Sequence, residues 1–285
     1  MAASIRLEGY ALHRGVATAV TLTACEGPIT FEQNGRRGHL SALTVLRTDA
    51  GVALTDGHGL DLDLVEHLLA ALGGLGIRSG VTANVEGEEL PILDGGARIF
   101  ADALSALELP ARAPEPAHLF VDRPGSLAEG TSTYLFDVGE ETDLSVEATF
   151  DHPAIGTQRA RWDGSARAFL ASIAPARTFG FRANARDLWR SGRAELAARS
   201  MDPAAVKAFS RAVIVFDEVG PVPAPDVPPP SAGEIARHKL LDLIGDFAVY
   251  GGPPRGSVFA RRPGHTASHR IIREALDVGI LSSRR

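Results

Sequence analysis

Residues 231–250, SAGEIARHKLLDLIGDFAVY, carry the clearest helical pattern in the chain and set the reading of the rest. His238, Asp242 and Asp246 recur every four residues and therefore share one stripe of a helix. Leu240, Leu241, Leu243, Ile244 and Phe247 surround that stripe, so the helix is expected to be largely buried. Ser231 and Glu234 have capping-box spacing, and the proline-dense Pro221–Pro230 ahead of them reads as an extended surface loop. Buried carboxylates are costly unless a cation or hydrogen bonds compensate. Zinc would supply the cation, with His238 and Asp242 as ligands one turn apart. A solvated polar stripe would give the same spacing, so this helix alone does not decide the matter.

A second helix, read from Val65, Leu68, Leu69 and Leu72, begins with Glu66-His67 and is expected to stop at Gly73 and Gly74. Glu-His pairs are common on exposed faces, yet here the imidazole could join the metal while the carboxylate reaches its water. Two histidines and one aspartate would make three protein ligands and leave a position open, the arrangement of a catalytic rather than a structural site. With one cysteine, Cys25, the chain has no thiolate cluster for a closed structural site.

Around these helices the pattern is strands followed by helices, twice over. In the first half, 16–22 and 29–31 read as a strand pair broken at Glu26, Gly27 and Pro28; 81–85 reads as a strand and 97–107 as a helix. In the second, 118–121, 133–137 and 144–149 read as strands and 183–190 as helical. Residues 109–116, with three prolines, read as a linker. The expected fold is α+β: two similar domains, 1–112 and 117–285, each a β-sheet layered against helices, with no obvious sequence repeat between them.

The formal net charge of -6 argues against a nucleic-acid partner. A lone cysteine, no secretory pattern and no apolar run of membrane-spanning length lead us to expect a cytoplasmic protein. Towards the end, Arg255, Arg261, Arg262, Arg270 and Arg273 occur without an intervening carboxylate, which suits an anionic ligand, peripheral membrane contact or merely a solubilising face. His265, after Pro263-Gly264, reads as a loop histidine.

Together these pieces resemble the UDP-3-O-acyl-N-acetylglucosamine deacetylases of lipid A biosynthesis, in the same order along nearly the whole chain. The resemblance rests on Gly9-Tyr10-Ala11-Leu12-His13-Arg14-Gly15, Val65-Glu66-His67-Leu68-Leu69-Ala70-Ala71-Leu72 and Pro91-Ile92-Leu93-Asp94-Gly95. It continues through Ala176-Arg177-Thr178-Phe179-Gly180-Phe181, His238-Lys239-Leu240-Leu241-Asp242-Leu243-Ile244-Gly245-Asp246 and Gly264-His265. It implies an active site between the two domains, with zinc on His67, His238 and Asp242. By position it implies Glu66 as general base, His265 as cationic acid, Asp246 as its partner and Thr178 as a hydroxyl beside the scissile carbonyl. Lys239, Phe179 and Phe181 match substrate-contacting positions, and Arg262 falls where a basic residue lies near the nucleotide phosphates. Fe2+ is an alternative ion, since two histidines and a carboxylate suit it as well.

Departures surround these positions: Leu64 stands where the family usually has Thr or Ser, Gly96 where Ser is common, and Thr266-Ala267-Ser268-His269 where it has Ala-Leu-Asn-Asn. Lys207-Ala208-Phe209-Ser210-Arg211 lacks the Asn and Asp usual before the next strand, and the proline-rich loop replaces an arginine-bearing segment. The expected substrate is a nucleotide-sugar lipid. The alternatives are a divergent relative deacylating another N-acylated amino sugar and a binding or regulatory protein without turnover. Oligomeric state and acyl-chain length have no signature in the sequence.

Overall fold

The computed structural model describes residues 3–49, 51–110, 117–183 and 202–284. Most of the expected linker (111–116) and of the expected helix at 183–190 lies outside the described residues.

The first half contains β1 (Ser4–Tyr10), β2 (Ala17–Pro28), β3 (Thr30–Gln33), β4 (Arg36–His39), β5 (Thr44–Arg47), β6 (Ala53–Thr55) and β7 (Asp61–Leu62). Helix α1 (Glu66–Gly74), β8 (Ser79–Glu86) and α2 (Arg98–Ala106) complete it. The second half runs β9 (His118–Val121), β10 (Gly125–Glu129), β11 (Ser132–Asp137), β12 (Thr142–Thr149), β13 (Thr157–Trp162), α3 (Ala166–Ala168), β14 (Thr178–Phe181) and α4 (Pro203–Ala212). It ends with β15 (Val213–Phe216), α5 (Glu234–Ala248), β16 (Gly256–Arg261), α6 (His265–Asp277) and β17 (Leu281–Arg284).

Two five-stranded sheets are wired alike, in the orders β1-β2-β8-β3-β4 and β10-β11-β16-β12-β13. Each central strand, β8 or β16, follows a buried helix and pairs parallel with one neighbour, β3 or β12, and antiparallel with the other. This is the α+β layout expected, and the common wiring persists where no sequence repeat is visible. Each half also carries an insertion at the same place, just before its buried helix: β5–β7 in the first, and β14, α4 and β15 in the second. No helix among the described residues is long and apolar enough to cross a membrane.

The expected pairing of 16–22 with 29–31 does not form. Strand β2 continues through Glu26 and Gly27 to Pro28 with a register shift, and β8 lies between β2 and β3. A strand arriving later in the chain has displaced the local hairpin, because β8, buried on most of its length, covers more apolar surface than a two-stranded ribbon would.

Helix α1 packs on α5. Leu68, Leu69, Leu240, Leu241, Leu243 and Ile244 are fully buried in one continuous core spanning both halves, each side chain stabilising the fold by about 1.5–3 kcal/mol. Glycines set how close the helices come. A Cβ on Gly245 would lie 2.4 Å from the carbonyl oxygen of Glu66, and one on Gly73 would lie 3.1 Å from Ile244 Cγ2. A Cβ on Gly74 would sit 2.3 Å from the Phe169 ring. Helix α1 ends at Gly74, where the sequence places its stop, but Gly73 and Gly74 serve there as points of close approach, and the left-handed turn falls to Gly76, at φ 70°. Gly245→Ala is expected to overpack this contact by about 1–3 kcal/mol, read as a lower melting temperature together with reduced metal content.

Candidate active site

Helix α5 begins at Glu234, two residues later than the capping pattern implies, with Gly233 rather than Ser231 at the N-cap. Glu234 does accept the Ser231 N–H at 2.7 Å, but the Ser231 hydroxyl donates to the same carboxylate rather than capping the helix. The reason is Arg177, whose guanidinium pairs with Glu234 at 2.8 Å in the protein interior. That pair ties the Ala176-Arg177-Thr178 segment to the start of α5, and the neighbouring Ala176 carbonyl accepts His238 Nδ1–H at 3.0 Å. Since a carbonyl only accepts, the ring is fixed with Nε2 free, 3.3 Å from Asp242 Oδ1.

His67, delivered by α1, stands perpendicular to His238 with ring centroids 5.3 Å apart. Candidate ligand atoms of His67, His238 and Asp242 all lie within 4.8 Å of one another, and all three residues are buried. Among the described residues, His67 Nδ1 and Asp242 Oδ1 are buried without hydrogen-bond partners. Orphaned polar atoms of this kind are costly in an interior, and a divalent cation would relieve them. The donor set of two imidazoles and a carboxylate fits a catalytic metal site. Burial, reinforced by His238, pushes the His67 imidazole down to about 3, and burial also lowers His238, so both rings are neutral as ligands must be. Burial alone would raise the Asp242 carboxyl, but His238, Lys239 and His265 hold it well below the usual carboxylate range.

Glu66, the first residue of α1, is 3% exposed. Its Oε2 accepts the Val52 N–H at 2.9 Å, which fixes the carboxyl while leaving Oε1 towards the site. Gly51 permits this, since a Cβ there would lie 2.8 Å from Oε1. Burial raises the Glu66 carboxyl above its ordinary value, with His265 pulling the other way.

His265 is not in a loop; it is the first residue of α6. Nδ1–H donates to Asp246 Oδ1 at 2.8 Å, while Nε2 stands 3.8 Å from Asp242 Oδ2 and 4.0 Å from Glu66 Oε1. Burial opposes its charge, yet Asp246 and Asp242 raise the imidazole to about 9. Asp246 is itself fully buried and held low by His265 and His269 against its desolvation.

Sequence reasoning did not single out His269, although it lies one turn beyond His265 on the same helix face. It is fully buried, with Nε2 3.3 Å from Asp246 Oδ1 and Nδ1 paired with the Tyr250 hydroxyl at 3.0 Å. Asp246 thus stands between two histidines. The Ala176 carbonyl and Val52 N–H were equally invisible, being main-chain groups that any residue would provide.

The remaining named residues divide. Lys239 donates to Asp242 Oδ2 at 2.7 Å and stands 5.6 Å over the Phe179 ring. Phe179 also lies beside His238, at 6.1 Å between centroids. Phe181 and Phe179 pack on one apolar cluster with Phe150 and Phe216, and of the two it is Phe179 that reaches His238. Thr178 starts β14, and its N–H donates to the Gly95 carbonyl at 2.7 Å, so a first-half turn sets its place. Arg262 is exposed, with a left-handed backbone at φ 50°. Of the other arginines in the basic run, Arg261 pairs with Glu147 and Arg270 with Glu129, so strands remote in sequence neutralise part of it. The departure at Leu64 is structural: its side chain is buried with Ile92 and Ala212.

The family model for UDP-3-O-acyl N-acetylglycosamine deacetylases matches residues 1–277. A UDP-3-O-acyl-N-acetylglucosamine deacetylase of Anaeromyxobacter sp. (strain Fw109-5) is 32% identical over 280 residues, covering 97% of this chain and 87% of that protein. The protein of the same name from Myxococcus xanthus (strain DK1622) is 31% identical, covering 95% and 83%. One from Brucella melitensis biotype 2 (strain ATCC 23457) is 27% identical, covering 96% and 93%. With its family model matched from the first residue to residue 277, and relatives of that name 32% and 31% identical over 97% and 95% of its length, the chain belongs to the UDP-3-O-acyl N-acetylglycosamine deacetylase family.

Proposed function

We propose that this protein is a zinc-dependent hydrolase that removes the N-acetyl group of a UDP-3-O-acyl-N-acetylglucosamine-type substrate in lipid A biosynthesis, acting in the cytoplasm. The observation that carries the reading is the convergence of His67, His238 and Asp242 beside Glu66 and His265, in a chain of this family. We further assign the two halves as domains 1–112 and 117–285, with the site at their junction.

His67, His238 and Asp242 would hold the ion. When bound, zinc supplies a Lewis acid that polarises an amide carbonyl and makes hydroxide available near pH 7, roughly. Glu66, anchored through Oε2, takes the proton of the attacking water on Oε1. Its raised pKa makes it a better proton acceptor than an exposed carboxylate and lets it hold that proton for the leaving amine. The His265 imidazolium presents Nε2–H to the oxygen that gains negative charge, while Asp246 fixes the ring through Nδ1. Thr178 would add a hydroxyl beside the scissile carbonyl, and Lys239, Phe179, Phe181 and Arg262 would form the surroundings that read the substrate.

The test is acetate release from UDP-3-O-acyl-N-acetylglucosamine by purified protein, with metal analysis of the same sample. A protein that retains zinc but releases no acetate from this substrate would overturn the substrate assignment, and a panel of N-acetylated sugars would then identify the replacement.

Asp246→Asn offers a sharper check on His265. The folded pKa of His265 is raised by this carboxylate, so its protonated form persists to about 9; without the carboxylate that value moves down. The alkaline limb of the turnover profile should therefore shift to lower pH, with turnover above it reduced about tenfold for each unit of displacement. An unmoved alkaline limb would remove His265 from the role of acid.

A further inference from the structure

At the C-terminal ends of α1 and α5 lies a second cavity, of about 460 Å3, lined by none of the residues assigned to the chemistry. Leu43, Val45, Leu69, Leu72, Ile77 and Val249 form its apolar walls. Its volume falls within the range of about 300–1,000 Å3 usual for small-molecule sites. Apolar cavities of this kind are poor hosts for water and good ones for hydrocarbon.

Two cations, Arg78 and Arg273, also line it, with the hydroxyl-bearing Tyr250. Arg78 is half-buried and, among the described residues, donates only to neutral acceptors, the carbonyls of Gly251 and Pro253. Gly252 leaves room for that guanidinium, since a Cβ there would lie 2.7 Å from Nη1. Arg273 Nε donates to the His269 carbonyl at 3.1 Å. Among the described residues no carboxylate forms an ion pair with Arg78, Arg273 or the nearby Arg255, whereas Arg261 and Arg270 each have one. Burial and Arg255 lower the Arg78 pKa, as expected for a cation lacking a counter-charge. Unneutralised guanidinium groups beside a hydrocarbon-lined cavity complement an acidic head joined to an alkyl chain.

We propose that this cavity binds a single-chain amphiphile, its alkyl tail against Leu69, Leu72 and Val45 and its carboxylate or phosphate head on Arg78 and Arg273. The site is distinct from the catalytic one, and its occupant is not the sugar substrate.

Isothermal titration calorimetry of the full chain with monomeric laurate, dodecyl phosphate, dodecanol and inorganic phosphate tests this. Laurate and dodecyl phosphate should bind, whichever head predominates in the cell, dodecanol at least about tenfold more weakly, and inorganic phosphate not measurably. Arg78→Gln should weaken laurate about tenfold or more while leaving dodecanol unchanged, and Val45→Trp, which fills the cavity from its wall, should weaken both. Dodecanol binding as tightly as laurate would overturn the assignment, as would laurate affinity unchanged in either variant or absent in the parent protein. Because the two variants alter different walls, a folding defect in one leaves the other decisive.

Discussion

His238→Ala is expected to leave a folded protein that no longer holds its metal and turns over at least about 10⁴-fold more slowly. The expectation follows from how few donors the site has. His67, His238 and Asp242 are the cluster within 4.8 Å, and His238 is the member whose orientation is locked by the Ala176 carbonyl. Without it the ion would rest on one imidazole and one carboxylate already shared with Lys239. The lost Lewis acid would return the attacking water to an ordinary pKa, a larger handicap than the loss of any single proton acceptor. Metal content by elemental analysis and acetate release decide the matter. His238→Gln, closer in volume, separates metal loss from the cavity that alanine leaves in a site where His238 is 3% exposed. Stoichiometric zinc with more than a tenth of parental turnover would place the metal elsewhere.

Glu66→Gln should behave differently: zinc retained, turnover down about 10²–10⁴-fold, the usual contribution of a general base. Glutamine keeps the size of the side chain and an oxygen to accept the Val52 N–H, so the carboxyl position should be preserved while its basicity is lost. Because Glu66 and His67 are adjacent, the comparison is demanding. A variant that lost the metal as well would mean that the start of α1 had moved, and one with near-normal turnover would deny Glu66 its assigned role.

Both helices that supply the cluster were legible because their apolar residues recur with helical spacing and their polar residues interrupt it on one face. The start of α5 was misplaced because Glu234, whose spacing suits a cap, is claimed by Arg177 from a distant segment. His265 read as a loop residue for a related reason: α6 begins after Gly264 with no side-chain cap, so Pro263-Gly264 gave a breaker signal and nothing marked a start. Short strands such as β6 and β7 are set by pairing partners rather than by their own pattern, and β8 could not be placed between β2 and β3 by any local rule. Charge shows the same limit, since Glu147 and Glu129 come to the basic run from other strands. What single-sequence reading lacked throughout was the partner, not the residue.

Gly245 seats the main chain of α5 against the carbonyl of Glu66. Side chains in a packed interior can exchange rotamers while the elements around them stay in place. Two main chains in contact separate only when the helices themselves part. Heat inactivation should consequently offer no early warning: catalytic output would hold steady on warming and then vanish along the same curve as cooperative unfolding.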